Sequence, residues 1–278
     1  MTGRVPDAHD VVWVSGGDAI SFLDGLVSQA VEPMGEGSVA RGLLLSPQGK
    51  LRAPLWLLRD AHRVGIVTDH GFGDRVAGDL ARYRIRVDVS IAEDPRPVTE
   101  VWGNAARDLV AADRFTNDGD LVVDLPFISS ALPRILTTGL HGFPLVSEGE
   151  AEAWRIEHGE PRFGVDIDEA TIPQEAGLVE DAVDFTKGCY LGQELVARIE
   201  SRGHVNRRLR GLVLSAAVEP GSSVVHAGDV VGSVTSVATS DRLGPVALAM
   251  VRREIEPGEL ARVGSADGVV HVLPLTGD

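Results

Sequence analysis

The only cysteine of the chain lies in the segment 187–194, which reads K-G-C-Y-L-G-Q-E. A cysteine reacts through its thiolate, and a neighbouring cation or a helix N-terminus increases the thiolate fraction. Lys187 comes shortly before Cys189, and a helix is predicted to begin after Gly192. Cys189 is therefore a candidate reactive thiol, with Lys187 as its activating cation. The alternative is a small buried side chain, because free cysteine is among the most buried residue types.

The rest of the motif offers polar, aromatic and glycine positions, namely Gly188, Tyr190, Gly192, Gln193 and Glu194. The glycines allow the backbone to approach either a ligand or a neighbouring strand closely. Gln193 and Glu194 could orient the loop through backbone amides or could face a ligand, and both alternatives stay open. Tyr190 and the nearby Phe185 could stack on a flat heterocycle, although either side chain would equally suit a core.

Arginine is concentrated just after the motif, although the chain is acidic with a formal net charge of −15. This arginine island consists of Arg198, Arg202, His204, Arg207, Arg208 and Arg210. Arginine pairs bidentately with carboxylates and phosphates, so the island could bind an anion. The alternative is an ordinary solvated surface. The net charge argues against broad nonspecific binding to nucleic acid, which depends on many cationic contacts to phosphate.

Strands and short helices are predicted to position these groups. Apolar periodicity predicts strands at 10–14, 40–45, 51–58, 63–68 and 87–91, and helices at 17–28 and 73–84. The turn 46–49 contains a proline and a glycine, which predicts a hairpin between the second and third strands. Leu191, Leu195 and Ile199 recur every four residues and predict one buried stripe on the helix after the motif. This mixture indicates the α+β class.

The C-terminal part is rich in short β-runs separated by turns. Strands are predicted at 212–215, 230–238, 246–251 and 269–273. This pattern is typical of a small β-barrel or sandwich. We therefore predict an α+β domain at 1–205 and a C-terminal β-barrel domain at 206–278.

Composition sets limits on the class of protein. The chain has 278 residues, of which 44% are hydrophobic, enough for a substantial core. No apolar run approaches the roughly 18 residues of a membrane span, and no signal-peptide core precedes Asp10, so a cytoplasmic location is predicted. A single cysteine excludes an intrachain disulfide and cannot by itself build a four-thiolate metal site. We therefore expect that the protein binds no metal of its own.

The K-G-C-Y-L-G-Q-E motif resembles the signature of the YgfZ family, folate-binding relatives of the glycine-cleavage T-protein implicated in iron–sulfur cluster assembly or repair. A second block at 154–178, with Arg155, Asp166 and Glu175, is also similar to this family. Weaker likenesses occur at 43–50 and 83–87. The resemblance implies a T-protein-like ring architecture, in which two interleaved N-terminal subdomains and the C-terminal barrel surround a channel.

The resemblance also implies tetrahydrofolate, or a related reduced folate, as the ligand in that channel. The carboxylate of Glu175 could pair with the amino group and ring N–H of a pterin. The arginine island would receive the carboxylate tail. The residues implied in folate binding are Glu175, Phe185, Tyr190, Arg198, Arg202, Arg207 and Arg208.

Aminomethyltransferase chemistry is not favoured by the matching residues. The T-protein segment G-G-I-x-D-D-L, which places an aspartate beside the reactive folate nitrogen, matches 49–55 here. Ala53 and Pro54 occupy its two acidic positions, and neither side chain can hold a proton. The segment 137–143 resembles a T-protein loop with a pterin-binding glutamate but has no acid.

Three functions follow from these observations. The first is a tetrahydrofolate-binding protein that supports assembly or repair of iron–sulfur clusters, with client enzymes or assembly factors as partners. The second is a folate-dependent one-carbon transferase or demethylase whose base is His141 or Glu175. The third is a non-catalytic docking protein for an iron–sulfur or tRNA-modifying enzyme.

Overall fold

The computed structural model describes residues 3–103, 121–125, 134–139 and 142–275. It divides into two compact units that are not continuous in sequence. The first unit comprises Met1–Pro126, Ala131–Leu145 and Leu178–Arg198, and the second comprises Phe127–Ser130, Val146–Gly177 and Ile199–Asp278. The second unit therefore includes a segment well upstream of the boundary predicted at residue 205. Among the described residues, no helix has the length and apolar character needed to cross a membrane.

The first unit is built on an antiparallel sheet. Its strands are β1 (Gly3–Ser15), β2 (Val39–Leu45), β3 (Leu51–Arg59), β4 (Arg63–Asp69), β5 (Ser90–Glu93), β6 (Val98–Trp102), β7 (Val122–Asp124) and β8 (Arg134–Thr137). The sheet order is β2-β3-β4-β1-β6-β8-β7, and β5 also pairs with β1. The predicted hairpin at 46–49 is confirmed, because β2 and β3 are antiparallel neighbours.

Both faces of this sheet are apolar. Val12 and Val14 of β1 belong to one core cluster, with Leu57 of β3. Val11 and Trp13, which alternate with them, belong to a second cluster. Successive strand residues point to opposite faces, so a strand buried on both sides has a continuous apolar run. This explains why the central strands could be located from sequence.

The helices of the first unit are shorter than predicted. They are α1 (Ala19–Asp24) and α2 (Gly73–Ala81), against predicted ranges of 17–28 and 73–84. Gly25 follows α1, and the Asp24 carboxylate accepts hydrogen bonds from the amides of Val31 at 2.7 Å and Glu32 at 3.2 Å, which favours a turn. Beyond α2, Arg86 has a positive φ of 57°, and the next strand begins at Ser90 instead of the predicted residue 87.

The second unit contains the predicted small β-barrel. Its strands are β9 (Arg207–Leu214), β10 (Ser223–His226), β11 (Asp229–Ser240), β12 (Gly244–Arg252), β13 (Leu260–Val263) and β14 (Ala266–His271). They close in the order β10-β11-β12-β9-β14-β13. Leu212, Val234 and Val270 belong to its apolar core cluster. The sequence missed β10 and β13, each only four residues long.

Helix α3 (Glu148–Glu157) packs on the barrel. A capping box defines its start, because the Ser147 side chain accepts from the Glu150 amide while the Ser147 amide donates to the Glu150 carboxylate. Ile156 is fully buried in one cluster with Leu209 and Leu248 of the barrel strands. The short helix α4 (Pro173–Ala176) lies beside β9. This packing explains why the 146–177 segment belongs to the barrel unit.

Two further helices flank the motif. They are α5 (Val179–Ala182) in the first unit and α6 (Gln193–Arg202), which starts in the first unit and ends in the second. The predicted helix after Gly192 is confirmed. The predicted buried stripe is wrong, because Leu191, Leu195 and Ile199 are only half-buried and Val196 is the buried residue of α6.

A buried ionic cluster lies in the first unit. His9 and Glu100 form a hydrogen-bonded ion pair, Arg134 lies 3.4 Å from Glu100, and Trp102 Nε1 donates to the Glu100 carboxylate at 2.9 Å. Burial works against the charged form of His9, but Glu100 outweighs it and raises the pKa of His9. Burial also opposes ionisation of Glu100, yet Arg134 and His9 lower the pKa of Glu100 to about 2.

The raised pKa of His9 makes stability depend on pH. A raised folded-state pKa means that the protonated histidine stabilises the fold below its ordinary value of 6.5 and that this contribution is lost at higher pH. We expect the wild type to lose stability relative to His9→Gln as the pH rises through the histidine range, in urea unfolding. His62→Gln, at an exposed histidine, should leave the pH profile unchanged. Parallel profiles for wild type and His9→Gln would contradict the charged pair.

Candidate functional site

The motif loop runs between α5 and α6 and is anchored through Lys187. The Lys187 side chain is 2% exposed. Its Nζ donates to the backbone carbonyls of Asp24 at 2.6 Å, Val27 at 2.9 Å and Gln29 at 2.9 Å. Desolvation lowers the pKa of Lys187, and the attraction of Asp24 opposes that shift only partly. The ammonium therefore holds the turn after α1 against the motif loop.

Gly192 is the second fixed point of the loop. Its φ is +80°, and a Cβ there would lie 2.4 Å from the carbonyl oxygen of Ser46. On the opposite side, a Cβ on Gly49 would lie 2.7 Å from Leu195 Cβ. The hairpin turn 46–49 and the start of α6 thus approach each other closely, and glycine at both positions allows this contact.

Between these fixed points, the motif presents its cysteine to solvent. Cys189 is a free, exposed thiol, and a Cβ on the neighbouring Gly188 would meet nothing within 4 Å. The alternative of a buried structural cysteine is therefore wrong. Because the Lys187 ammonium is bound by backbone carbonyls, its part in the motif is anchorage. Reactivity of Cys189 stays a prediction.

The other motif residues divide between packing and exposure. Tyr190 is buried, and burial raises its pKa to about 12. The Gln193 side chain accepts a hydrogen bond from the Tyr190 amide at 3.2 Å, so it orients the loop, while Glu194 is exposed. Phe185 is 49% exposed just upstream of the motif. Of the two candidate stacking residues, only Phe185 presents a large part of its ring to solvent.

Glu175 and Arg207, both implied in folate binding, pair with each other in the second unit. Arg207 Nε lies 3.0 Å and Nη2 3.3 Å from the Glu175 carboxylate oxygens, and the Ile172 amide donates to the same carboxylate. The Glu175 carboxylate is occupied in this arrangement, whereas the Arg207 side chain is 41% exposed. Their roles in folate binding stay predictions, and a role for Glu175 would require the pair to open.

The arginine island is distributed over both units. Arg198 belongs to the first unit, whereas Arg202, Arg207, Arg208 and Arg210 belong to the second. Within the described residues, the exposed Arg202 and Arg208 make no ion pair.

Like charges also approach each other on the barrel strands. Burial and the neighbouring Arg208 lower the pKa of Arg210, whose Nε is buried without a hydrogen-bond partner among the described residues. Arg207 of β9 lies directly opposite Arg252 of β12. Like charges in such positions repel, and a bound anion would relieve this repulsion.

The second block of the sequence forms a buried polar network around Asp166. One oxygen of its carboxylate accepts from Thr235 at 2.5 Å and Ser236 at 2.7 Å, and the other accepts from Arg155 at 2.6 Å and the Arg162 amide at 2.9 Å. The Asp166 side chain is fully buried. Since every partner belongs to the barrel unit, the network fastens α3 and the loop at 162–167 to β11. These positions are structural.

The positions that carry acids in T-proteins are apolar here. Ala53 is buried in the first core cluster, and Pro54 is buried opposite Leu43 of β2. The segment 137–143 is described only in part, and His141, a candidate base, lies outside the described residues. Within the described parts of the chain, no group of three or more histidine, cysteine, aspartate or glutamate side chains could hold a metal ion.

Comparison with known proteins adds four findings. Residues 207–273 match the glycine cleavage T-protein C-terminal barrel domain. The chain is 26% identical to the iron-sulfur cluster assembly factor IBA57 homolog, mitochondrial, of Chaetomium globosum, over 94% of this chain and 66% of that protein, slightly under two thirds of its length. It is 25% identical to the tRNA-modifying protein YgfZ of Shigella dysenteriae, over 99% of this chain and 93% of that protein.

The fourth finding is structural. The crystal structure of glycine cleavage system aminomethyltransferase T from Bartonella henselae superimposes with a TM-score of 0.85 at 19% identity, covering 99% of this chain and 86% of that one. The fold is therefore α+β of the T-protein class, with the C-terminal barrel that the sequence predicted. Within that class, the matches to relatives named IBA57 and YgfZ and to the T-protein barrel domain support the YgfZ family.

Proposed function

We propose that this protein supports assembly or repair of iron–sulfur clusters in client enzymes and binds a reduced folate as part of that role. The observation that carries the first half is the match over nearly the whole chain to relatives named for iron–sulfur cluster assembly and for tRNA modification. Those two names are compatible if the clients include tRNA-modifying enzymes that contain clusters. The predicted cytoplasmic location stays a prediction, since the name of the fungal relative includes mitochondrial.

The described residues fit the tail of a folate better than its pterin. Arg202 and Arg208 are exposed cations without ion pairs among the described residues, and Arg210 has a buried Nε without a partner there. These groups suit the carboxylates of a folate tail. Glu175, the predicted pterin partner, already has its carboxylate occupied by Arg207. A bound folate would supply a one-carbon carrier, while the chain would supply charge pairing and orientation.

The exposed motif loop supports a role towards a partner protein. Phe185, Gly188 and Cys189 are exposed on a loop that Lys187 and Gly192 fix in place. A fixed loop with exposed groups loses little conformational entropy on binding. This observation also favours the third function predicted from the sequence, a docking protein whose motif contacts the client directly.

A folate-dependent transferase or demethylase is less well supported. Ala53 and Pro54 cannot take up a proton, and the carboxylate of Glu175 is held by Arg207. Turnover of a methylated or aminomethyl donor by the purified protein would nevertheless replace our proposal by this one.

Calorimetric titration with tetrahydrofolate under anaerobic conditions tests the ligand. We expect micromolar affinity, about −8 kcal/mol, for the wild type and for Cys189→Ala. The double variant Arg202→Ala, Arg208→Ala should bind about tenfold more weakly or worse, because two charge-assisted contacts are lost. Arg262→Ala, which removes an exposed arginine elsewhere on the barrel, is the matched control. Absence of heat and of competition at millimolar ligand would remove folate from the proposal.

The role towards clients needs a separate measurement. In cells that lack the native protein, Cys189→Ser and Gly188→Glu should fail to restore activity of a cluster-containing tRNA-modifying enzyme, although both variants fold. Full restoration by both would contradict a role of the motif loop. If folate affinity survives in these variants while client activity is lost, ligand binding and client support are separable.

A further inference from the structure

A cleft of about 150 Å³ opens on the first unit beside the motif loop. Its apolar side is formed by Leu44 and Leu45 of β2, Pro47 of the hairpin turn and Leu191 of the motif. The remaining lining residues, which we term the cationic side, include Arg52 of β3, Asp79 and Arg82 at the C-terminal end of α2, and Tyr83. The cleft thus combines apolar and cationic groups.

Asp79 holds the cationic side in place. Its buried carboxylate accepts from Arg52 Nε at 2.7 Å and Nη2 at 3.0 Å, and Arg82 Nη1 lies 3.2 Å away. One carboxylate thus orients two guanidinium groups, which leaves a net positive charge at the rim. Pre-oriented side chains lose less entropy when they bind a partner.

The cationic side continues into an exposed loop at 82–86, which we term the arginine loop. Its sequence is R-Y-R-I-R, and it has no acidic residue on a chain whose net charge is −15. Arg84 and Arg86 are exposed and make no ion pair with any described residue. Ile85, between them, is 72% exposed. A single exposed apolar side chain is ordinary, but Ile85 lies between two arginines that have no ion-pair partner in the described part of the chain.

The conformation of the arginine loop is defined by its backbone. The amides of Tyr83, Arg84 and Ile85 donate to the carbonyls of Leu80, Ala81 and Tyr83 at 2.8 to 3.2 Å. Arg86 adopts a positive φ of 57°, which a non-glycine residue rarely does. Local backbone strain of this kind is concentrated at binding sites and functional turns.

We propose that the cleft and the arginine loop bind an acidic segment of a partner protein that carries an apolar side chain. The apolar side chain enters between Leu191 and Pro47, and carboxylates on either side of it pair with Arg82, Arg84 and Arg86. Ile85 and Tyr83 cover the apolar part of the segment. Because Leu191 is part of the motif, the bound segment would lie close to the exposed Cys189. This site is independent of folate binding.

A peptide fits this surface better than a single-stranded nucleic acid does. Nucleic-acid surfaces stack successive bases on several aromatic rings, whereas the arginine loop offers one aromatic ring, Tyr83, beside the aliphatic Ile85. Arginine forks match carboxylates bidentately. The cleft volume suits one large aliphatic or aromatic side chain.

Fluorescence anisotropy with a short labelled peptide of alternating glutamate and leucine tests the site. We expect binding by the wild type that weakens with salt, at least tenfold weaker binding by Arg84→Glu and severalfold weaker binding by Ile85→Ser. Arg262→Glu, an equal charge change at an exposed barrel arginine, should bind as the wild type does. Both loop residues are exposed, so the variants should keep the wild-type melting temperature.

Four results would overturn the proposal. The first is no binding by the wild type, and the second is equal weakening by Arg84→Glu and Arg262→Glu, which would indicate overall charge. The third is equal affinity for a peptide with serine in place of leucine, which would exclude the apolar side of the cleft. Tighter binding of a uridine oligonucleotide that Arg84→Glu abolishes would assign the surface to RNA instead.

An environment-sensitive fluorophore on Cys189 should change its emission when the glutamate–leucine peptide binds.

Discussion

Replacing Asp166 by alanine is expected to lower the free energy of unfolding by about 3–5 kcal/mol, the usual effect of removing one partner of a buried ion pair. The Asp166 side chain is fully buried and compensates the charge of Arg155, whose side chain is only 11% exposed. Without this carboxylate, Arg155 keeps Glu152 as its one ion-pair partner among the described residues, and the hydroxyl of Ser236 loses an acceptor. An unsatisfied buried polar group costs free energy beyond the lost bond.

Urea unfolding of three variants separates charge from shape at this position. Asp166→Asn keeps the volume of the side chain but removes its charge. Its free energy of unfolding should therefore lie between those of the wild type and Asp166→Ala. Asp267→Ala removes an exposed aspartate of the same unit and should change stability by no more than about 0.5 kcal/mol. If Asp166→Ala and Asp267→Ala unfold at the same urea concentration, the network does not stabilise the barrel unit.

Part of the Asp166 network cannot be predicted from the sequence. Arg155 and Asp166 lie in one block that resembles the YgfZ family, but Ser236 lies 70 residues further along the chain from Asp166. Nothing in local periodicity indicates that pairing. For this reason, the sequence predicted a single domain boundary at residue 205, whereas the 146–177 segment packs with the barrel.

Strands buried on both faces can be predicted from the sequence, whereas very short strands cannot. The central strands of the first unit have continuous apolar runs, and the β2–β3 turn has its proline and glycine. By contrast, β10 and β13 are too short to show a clear period. The end of α1 lies at a turn in which the Asp24 carboxylate accepts from two backbone amides, a contact that apolar periodicity does not indicate.

Within the candidate site, the sequence predicts the motif but not the separate roles of its residues. Because Lys187 is close to Cys189 in the chain, the sequence predicts that its ammonium activates the thiol. The structure directs Lys187 to three backbone carbonyls near α1. Backbone acceptors carry no side-chain signal, so this contact could not have been inferred from residue types.

Replacing Lys187 by methionine is expected to destabilise the protein by about 2–4 kcal/mol, since three carbonyls lose a charged donor in a nearly closed environment. The loss should be smaller than the sum of three charged hydrogen bonds, because burial lowers the pKa of Lys187 and its removal recovers part of that desolvation cost. Lys187→Arg should also destabilise, although it keeps the charge, because a planar guanidinium cannot direct three donors at carbonyls that surround a single nitrogen.

The matched control is Lys50→Met, which removes an exposed lysine and should leave the free energy of unfolding within about 0.5 kcal/mol of the wild type. Hydrogen exchange provides a second readout, because loss of the anchor should increase exchange of the motif amides before global unfolding. If Lys187→Arg matched the wild type in both measurements, the positive charge alone would account for the stabilising effect of Lys187. Destabilisation by both Lys187 substitutions, with faster exchange confined to the motif and the turn after α1, would establish Lys187 as the group that presents Cys189 to solvent on a fixed loop.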